Sequence, residues 1–260
     1  MWFGSRRRMQ KPRPEAADRD LLAIHVATSF VVTDSGRILY VNAPDRPPGP
    51  RFYLAGCESA NIIRIRHDVS ESAARALKVL AADEPALSDP ESSPVHFDDY
   101  VRILASEAPV QRSHSGLNWC LPHELDYEHG VTLVCSGTPE GDSLLVDLAE
   151  RGMPEPLVVM GFVNTEEFWP PWCVALSDGS KISSIAFAAR LGPMGAEAGV
   201  ASIPSFRGQG FAAAATAGWA AHAALRGRAL FYATDRTNVS SQRVVERLRL
   251  RFFGASLAIS

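Results

Sequence analysis

A short basic turn with two glycines is the stretch of this sequence best suited to hold a ligand. An apolar run ends at Ile203-Pro204, and Arg207-Gly208-Gln209-Gly210 then leads into an alanine-rich segment that reaches Leu225. The pattern predicts a buried strand, a tight turn and a helix. Glycine lacks a Cβ, so its backbone can turn sharply and approach a ligand closely. The unpaired N–H groups of the helix start, the positive end of the helix dipole and Arg207 together predict a phosphate-binding site.

This turn differs from two common phosphate-binding loops. No Lys-Ser or Lys-Thr pair follows Gly210, so the turn is not a Walker A loop. Ala213 stands where the dinucleotide-binding pattern G-x-G-x-x-G has its third glycine, and no acidic residue ends a following strand at the usual distance. Glycines before a helix are common, so a plain strand–helix connection is the alternative interpretation.

The segments that follow the turn are predicted to form a defined order of elements. Residues 229–233 predict a strand, a second helix follows Asn238, and residues 252–259 predict a last strand. With R-G-x-G after a strand and a proline, then helix, strand, Asn-x-x-Ser, helix and strand, residues 157–260 resemble the GNAT acyltransferase superfamily. The resemblance implies an α/β (α+β) fold, with a mixed β-sheet flanked by helices. It also implies that the glycine turn holds the pyrophosphate of acetyl-coenzyme A (acetyl-CoA).

The resemblance further implies roles for individual residues of this chain. The strand that precedes the turn would splay from the strand at 230–233, and the pantetheine arm would fill the gap. A backbone N–H around residues 201–203 would hold the thioester carbonyl, and Asn238 would cap its helix and contact the pantetheine amides. The residues predicted to bind acetyl-CoA are Ala201, Ser202, Ile203, Arg207, Gly208, Gln209, Gly210, Phe211, Ala212 and Asn238.

Glu197 is predicted to be the general base that takes a proton from the attacking amine. It opens the central strand, where burial would raise the pKa of its carboxyl group. An exposed loop glutamate is the alternative, and Glu166 and Glu167 are rival candidates for the base. Ser241, near the start of the next helix, is predicted to contact the leaving thiolate, with an ordinary first-turn serine as the alternative.

Four residues depart from the family pattern, two of them being Arg249, in place of the glycine that ends the last helix, and Leu250, in the usual aromatic place. Ser205 stands where the family has glutamine or arginine, and Val245 stands where a tyrosine often protonates the leaving thiolate. The leading prediction is an N-acetyltransferase that transfers the acetyl group of acetyl-CoA to a primary amine by direct attack. The alternative is a non-catalytic acyl-CoA-binding sensor or regulatory module, and a scaffold that binds no coenzyme A is a third interpretation.

Composition limits the other classes of function. The 260 residues carry a formal net charge of −3, and 46% of them are hydrophobic, which is enough for a proper core. This charge balance gives no nucleic-acid signature, and no apolar run has the length of a membrane span. The four cysteines are widely spaced, which indicates reduced thiols in a cytoplasmic protein. We therefore expect the partners to be acetyl-CoA and an amine acceptor, either a small molecule or a peptide.

The chain is predicted to have three parts. Residues 1–20 are basic and contain two prolines, which indicates a disordered arm without the apolar region of a signal peptide. Residues 21–150 predict a smaller α+β domain, which precedes the GNAT-like catalytic domain at residues 151–260. We predict no metal site, because zinc-ligand spacing is missing among the loop residues His123, Glu124 and His129.

Overall fold

The computed structural model describes residues 17–125, 127 and 130–260. Most of the predicted basic arm, residues 1–16, therefore lies outside the described residues. The first helix begins at Asp18, within the last residues assigned to that arm. Its first turn is fixed to the last strand, because Asp18 Oδ1 accepts a hydrogen bond from Arg251 Nη1 at 2.6 Å.

Helices and strands follow one another in short groups along the described chain, and they alternate one by one in its last part. The helices are α1 (Asp18–Ser29), α2 (Glu71–Ala82), α3 (Phe97–Ala105), α4 (Pro139–Arg151), α5 (Glu155–Val159), α6 (Phe211–Ala220) and α7 (Val239–Leu248). The strands are β1 (Phe30–Val32), β2 (Ile38–Val41), β3 (Phe52–Cys57), β4 (Ala60–Ile65), β5 (Ser113–Cys120), β6 (Thr132–Cys135), β7 (Trp172–Ser177), β8 (Lys181–Leu191), β9 (Gly195–Ser202), β10 (Ala229–Asp235) and β11 (Arg251–Ile259). Short 3-10 helices lie at Thr165–Phe168, Pro204–Phe206 and Ala223–Leu225.

Nine of these strands form one sheet in the order β4-β3-β11-β5-β10-β9-β8-β7-β6, and β1 and β2 form a separate hairpin. β9 and β10 run parallel, whereas the other neighbouring strands of the sheet run antiparallel. The predicted fold class, a mixed α/β sheet flanked by helices, is confirmed.

Strands from both halves of the chain alternate in this sheet. The last strand, β11, lies between β3 and β5, and β5 in turn lies between β11 and β10. The last residues of the chain therefore pair with strands from its first half. The division into domains near residue 150 remains a prediction, and the sheet continues across it.

The sequence does not predict β5. Its residues, Ser-His-Ser-Gly-Leu-Asn-Trp-Cys, lack the alternation of polar and apolar residues that marks a half-buried strand. β5 forms a strand because β10 and β11 each pair with it along most of its length. Gly116 suits this central position, since a Cβ there would lie 2.7 Å from Ser256 Oγ on β11.

Successive residues of the central strands point to opposite faces of the sheet. On one face, Tyr232 of β10 packs in a cluster with Trp219 of α6. On the other face, Phe231 packs in a cluster with Leu22 of α1. Trp219 is fully buried and donates a hydrogen bond from Nε1 to Pro171 O at 2.8 Å, which holds α6 on the sheet. We call these two sides the α6 face and the α1 face.

The predicted helix after the glycine turn is shorter than expected. α6 ends at Ala220 rather than at Leu225, and a separate 3-10 turn follows. The His222 side chain starts this turn, because its Nδ1 accepts a hydrogen bond from Ala224 N–H at 3.1 Å. Among the described residues, every helix is too short or too polar to span a bilayer.

Candidate functional site

The parallel strands β9 and β10 pair over a short stretch that ends at Ala198↔Tyr232. Beyond this point β9 stays paired with β8 as far as Ser202. β10 stays paired with β5 as far as Asp235. The two strands therefore diverge, and a gap opens between their last residues.

The gap leaves backbone groups of β9 available for a ligand. Ile203 N–H donates to Ser183 O of β8 at 3.0 Å. In an antiparallel ladder, alternate residues direct their backbone groups to the same neighbour, so Ala201 also faces β8. Val200 and Ser202 face the gap instead. Of the three predicted carbonyl donors, Ser202 is the one whose N–H faces the gap, and Val200 is a second donor there.

The gap continues into a cleft of about 490 Å³ on the α6 face. Predicted Ser241 lines it, together with most of the predicted acetyl-CoA-binding residues: Ala201, Ser202, Arg207, Gly208, Gly210, Phe211, Ala212 and Asn238. Two predicted residues are not part of the lining. Ile203 is buried in an apolar cluster, and Gln209 turns away, donating from Nε2 to Ser205 O at 3.1 Å.

The glycine turn has the sharp geometry that the sequence predicts. Gly208 and Gly210 adopt φ values of 81° and 96°, a left-handed conformation that favours glycine. Gly210 precedes the first residue of α6, and Ala214 N–H makes the first intrahelical bond, to Gly210 O at 3.0 Å. The N–H groups of the first three residues of α6 therefore have no partner within the helix, and they belong to residues that line the cleft.

Three arginines surround the turn, and sequence reasoning found one of them. Arg207 belongs to the turn, whereas Arg243 and Arg247 come from α7. Arg247 Nη2 donates to Gly208 O at 2.6 Å, so α7 also holds the turn in place. Arg243 and Arg247 are four residues apart, a spacing that puts both on one face of a helix. This spacing is the feature of the sequence that could have indicated a cationic site on α7. Among the described lining residues there is no carboxylate, so this end of the cleft is strongly cationic.

Two hydroxyl groups meet at the other part of the cleft. Asn238 caps α7 as predicted, because its Oδ1 accepts a hydrogen bond from Ser241 N–H at 3.1 Å. Ser241 Oγ lies 2.9 Å from Tyr232 Oη. Burial raises the pKa of Tyr232, and the hydrogen bond from Ser241 offsets only part of this rise. Val245 is buried in the core and has no hydroxyl to offer. Tyr232 was missed because its position on a strand gave no sign that it faces α7.

Glu197 lies outside the cleft lining, on the α1 face. It is in register with Phe231 of β10 and Arg190 of β8, and its Oε2 accepts a hydrogen bond from His25 Nε2 at 2.8 Å. Burial is the largest single influence on Glu197 and by itself would raise the pKa of the carboxyl group. The His25 hydrogen bond and the charges of His25 and Arg190 outweigh it, so the pKa is lowered. The expectation of a raised pKa was therefore wrong, because the sequence could not show these partners.

His25 reaches Glu197 from α1 and is itself almost completely buried. Its ring lies 4.9 Å from that of Phe231 and 5.9 Å from that of Phe253, measured between centroids. An ionised carboxylate can only accept hydrogen bonds, so His25 Nε2 carries the proton of this bond. Nδ1 is buried and has no hydrogen-bond partner among the described residues. The imidazole therefore has one polar contact, and it fixes Glu197.

The rival acids and the loop histidines have other contacts. Glu167 Oε2 accepts a hydrogen bond from Asn164 N–H at 2.8 Å as part of a capping box, and neither Glu167 nor Glu166 lines the cleft. The His123 ring lies within hydrogen-bond distance of two backbone carbonyl oxygens, and His129 lies outside the described residues. No group of three potential metal ligands occurs in residues 17–125, 127 and 130–260.

The C-terminal part of the chain matches a model of a known protein family. Residues 157–251 match the family model described as an acetyltransferase (GNAT) domain, which confirms the resemblance stated for the C-terminal half. No curated protein matches the chain.

Several solved structures are similar to this chain. One is a putative acetyltransferase of the GNAT family from Novosphingobium aromaticivorans, with 22% identity over 58% of this chain and 65% of that chain, and a TM-score of 0.39. A second is a GCN5-related N-acetyltransferase from Kribbella flavida, with 15% identity over 94% of each chain and a TM-score of 0.46. A third is a tandem GNAT protein from the clavulanic acid biosynthesis pathway, with 13% identity over 92% of this chain and 93% of that chain, and a TM-score of 0.42.

Replacing Glu197 by glutamine should change how stability depends on pH. The folded-state pKa of Glu197 lies below its ordinary value of 4.5. The ionised group therefore contributes stability that is fully present above that value and is lost as the pH falls through the folded-state pKa. We expect the difference in unfolding free energy between wild type and Glu197→Gln to shrink from about pH 6 to about pH 3 in denaturant titrations. Exposed Glu166→Gln is the control, and a difference that grows on acidification would contradict the assignment.

Proposed function

We propose that this GNAT-domain protein is an N-acetyltransferase that transfers the acetyl group of acetyl-CoA to a primary amine by direct attack. The match of residues 157–251 to an acetyltransferase domain supports the reaction class. The observation that carries the proposal is the cleft at the diverging strands β9 and β10. It joins a cationic glycine turn to a pair of hydroxyl groups and to the gap between the strands.

The glycine turn would hold the phosphates of acetyl-CoA. The first N–H groups of α6 and the positive end of its dipole favour an anion at this point. Arg207, Arg243 and Arg247 add three guanidinium groups, which suit phosphate oxygens because they can bind them in a bidentate manner. Coenzyme A carries its pyrophosphate next to the pantetheine arm, so the arm would extend from the turn toward the gap.

The gap would then receive the thioester. The backbone groups of Val200 and Ser202 face it and can pair with the pantetheine amides as a neighbouring strand would. One of their N–H groups would also donate to the thioester oxygen as negative charge develops there. Such a donor is typically worth about 3–4 kcal/mol of transition-state stabilisation.

Tyr232 and Ser241 would supply the proton for the leaving group. In the proposed reaction, the neutral amine nitrogen bonds to the acetyl carbon, the C–S bond breaks, and the thiolate takes a proton from this hydroxyl pair. The nitrogen then releases its remaining extra proton to solvent, and the hydroxyl pair regains a proton from solvent. With a pKa raised above its ordinary value of 10.0, the phenol of Tyr232 is protonated near neutral pH, as a proton donor must be. The pair would thus replace the tyrosine that the family often has at the position of Val245.

Glu197 would act on the amine from the α1 face. Its side chain is 15% exposed, and the bond to His25 uses Oε2, which leaves Oε1 for the ammonium group. With a lowered pKa the carboxylate is ionised at neutral pH, so it can bind a cationic amine and then take its proton, directly or through water. The acceptor would approach from the side opposite to the cleft and reach the thioester through the gap.

A non-catalytic acyl-CoA sensor is the second candidate function. It is favoured by Val245, by Ser205 and by the position of Glu197 outside the cleft lining. Both candidates predict binding of acetyl-CoA in calorimetry. Release of free thiol from acetyl-CoA in the presence of a broad amine panel separates them, because a sensor would give no amine-dependent release.

Loss of one arginine from α7 should weaken acetyl-CoA binding. Arg247→Gln removes a guanidinium from the cationic end and also the hydrogen bond that holds Gly208 O. We expect the dissociation constant to rise at least tenfold, about 1.4 kcal/mol, in isothermal titration calorimetry. The matched control is Arg75→Gln, an exposed arginine of α2, which should leave binding unchanged. Equal affinity of Arg247→Gln and wild type would refute the phosphate assignment.

Tyr232→Phe should impair turnover without impairing binding. The substitution keeps the buried ring and removes the hydroxyl that faces Ser241. We expect kcat for thiol release to fall by roughly 10²-fold, the lower part of the usual range for acid–base catalysis, with little change in the affinity for acetyl-CoA. Tyr40→Phe on β2, remote from the cleft, serves as the control. If Tyr232→Phe turns over as fast as wild type, the proton must come from another group.

Glu197→Gln should lower turnover while acetyl-CoA still binds normally. The amide keeps the shape of the side chain but cannot take a proton, so we expect kcat near neutral pH to fall by roughly 10²–10⁴-fold. The deficit should shrink at high pH, because the free amine no longer needs to lose a proton. The pH–rate profile of thiol release measures this, with Glu166→Gln as the matched control. Full activity of Glu197→Gln at neutral pH would exclude it as the base.

A further inference from the structure

Two cysteines that are far apart in the sequence lie directly opposite each other in the sheet. Cys135 ends β6 and Cys173 belongs to β7, and the antiparallel register pairs the two residues. Cys135 and Cys173 are not joined by a disulfide in the structure. This pair lies on the α6 face, since both residues belong to the cluster that contains Trp219.

Residue pairs in an antiparallel ladder alternate between hydrogen-bonded and non-hydrogen-bonded pairs, and the side chains are closer in the second kind. Cys135 and Cys173 form a pair of the second kind. Ser136 N–H donates to Trp172 O at 3.0 Å, one residue beyond the pair. Cys135 and Cys173 are therefore a non-hydrogen-bonded pair, in which the Cα atoms are about 4.5 Å apart and the side chains approach each other. Disulfides span Cα distances of about 4.4–6.8 Å, so the backbone already permits a bond.

The two thiols differ in access and in acidity. Cys173 is fully buried, whereas Cys135 is partly exposed, and its strand β6 ends the strand order of the sheet. A hydrogen bond between the two thiols lowers the pKa of Cys135. The same hydrogen bond, followed by burial, raises the pKa of Cys173. An oxidant that arrives from solvent would therefore meet Cys135 first.

We propose that Cys135 and Cys173 form a cross-strand disulfide when the folded protein meets a small-molecule disulfide such as oxidised glutathione. The Cys135 thiolate attacks one sulfur of the oxidant, forms a mixed disulfide and releases one thiolate of glutathione. Cys173 then loses its proton and attacks the Cys135 sulfur, which releases the second glutathione thiol. The two cysteines are oxidised by two electrons, and one oxidised glutathione is reduced to two thiols.

The position of the pair gives the bond a structural consequence. α6 packs on Cys173 so closely that a Cβ at Gly218 would lie 2.5 Å from its Sγ. The disulfide would therefore form beneath the helix whose first turn lines the cleft. In a reducing compartment the two cysteines would remain thiols, and the disulfide would form only when the surroundings become oxidising.

Peptide mapping of the folded full-length chain after incubation with oxidised glutathione tests this proposal. We expect one cross-linked peptide that joins Cys135 to Cys173 and a mass lower by two hydrogen atoms. In the Cys173→Ser variant, the reaction should stop at a mixed disulfide between glutathione and Cys135. In the Cys135→Ser variant, Cys173 should remain unmodified. Cys57→Ser, a buried cysteine on β3, is the matched control and should leave the bond intact.

The wild-type map decides the outcome even where a variant fails to fold. A stable glutathione adduct on wild-type Cys135 without the cross-link would overturn the proposal. So would unmodified wild-type protein, or a cross-link that involves Cys57 or Cys120.

Discussion

The candidate site depends on the point at which two parallel strands stop pairing. β9 and β10 share a ladder only as far as Ala198 and Tyr232, and each then follows its antiparallel neighbour. Val200 and Ser202 are half-buried and line the cleft, so an extended, amide-containing ligand could pair with their backbone groups as a neighbouring strand would. The glycine turn follows β9 in the chain. One continuous segment therefore positions both the proposed phosphate site and the proposed thioester site.

The alternation of side chains along these strands separates the proposed acid from the proposed base. Phe231 and Tyr232 are neighbours on β10 and point to opposite faces. Tyr232 meets Ser241 on the α6 face, and Phe231 packs beside the His25–Glu197 pair on the α1 face. The proposed proton donor, Tyr232 with Ser241, would therefore lie on one side of a thioester bound in the gap, and the acceptor amine would approach from the other side. This arrangement keeps the proton donor away from the carboxylate that must stay ionised.

The sequence predicted the parts of the site that depend on local geometry. Left-handed glycines, the start of α6 and the Asn238 cap follow from neighbouring residues, and the structure places them as expected. The arginines of α7 and the Tyr232–Ser241 contact depend on how distant segments pack, and the Cys135–Cys173 pair depends on strand register. The direction of the Glu197 pKa shift was wrong for the same reason, because His25 lies on a helix far away in the chain.

β5, the strand that the sequence does not predict, supports β10 beyond the point at which β10 and β9 stop pairing. Leu230 O accepts a hydrogen bond from Leu121 N–H at 2.9 Å, and Arg236 N–H donates to Ser115 O at 3.0 Å, so even-numbered residues of β10 direct their backbone groups to β5. Ala233 and Asp235 therefore direct theirs to the gap. β11 holds β5 on its other side. The first half of the chain therefore takes part in the geometry of the candidate site. It contributes β5, on which β10 continues beyond its last pair with β9, and, through α1, the imidazole that fixes Glu197, so the geometry proposed for catalysis requires both halves.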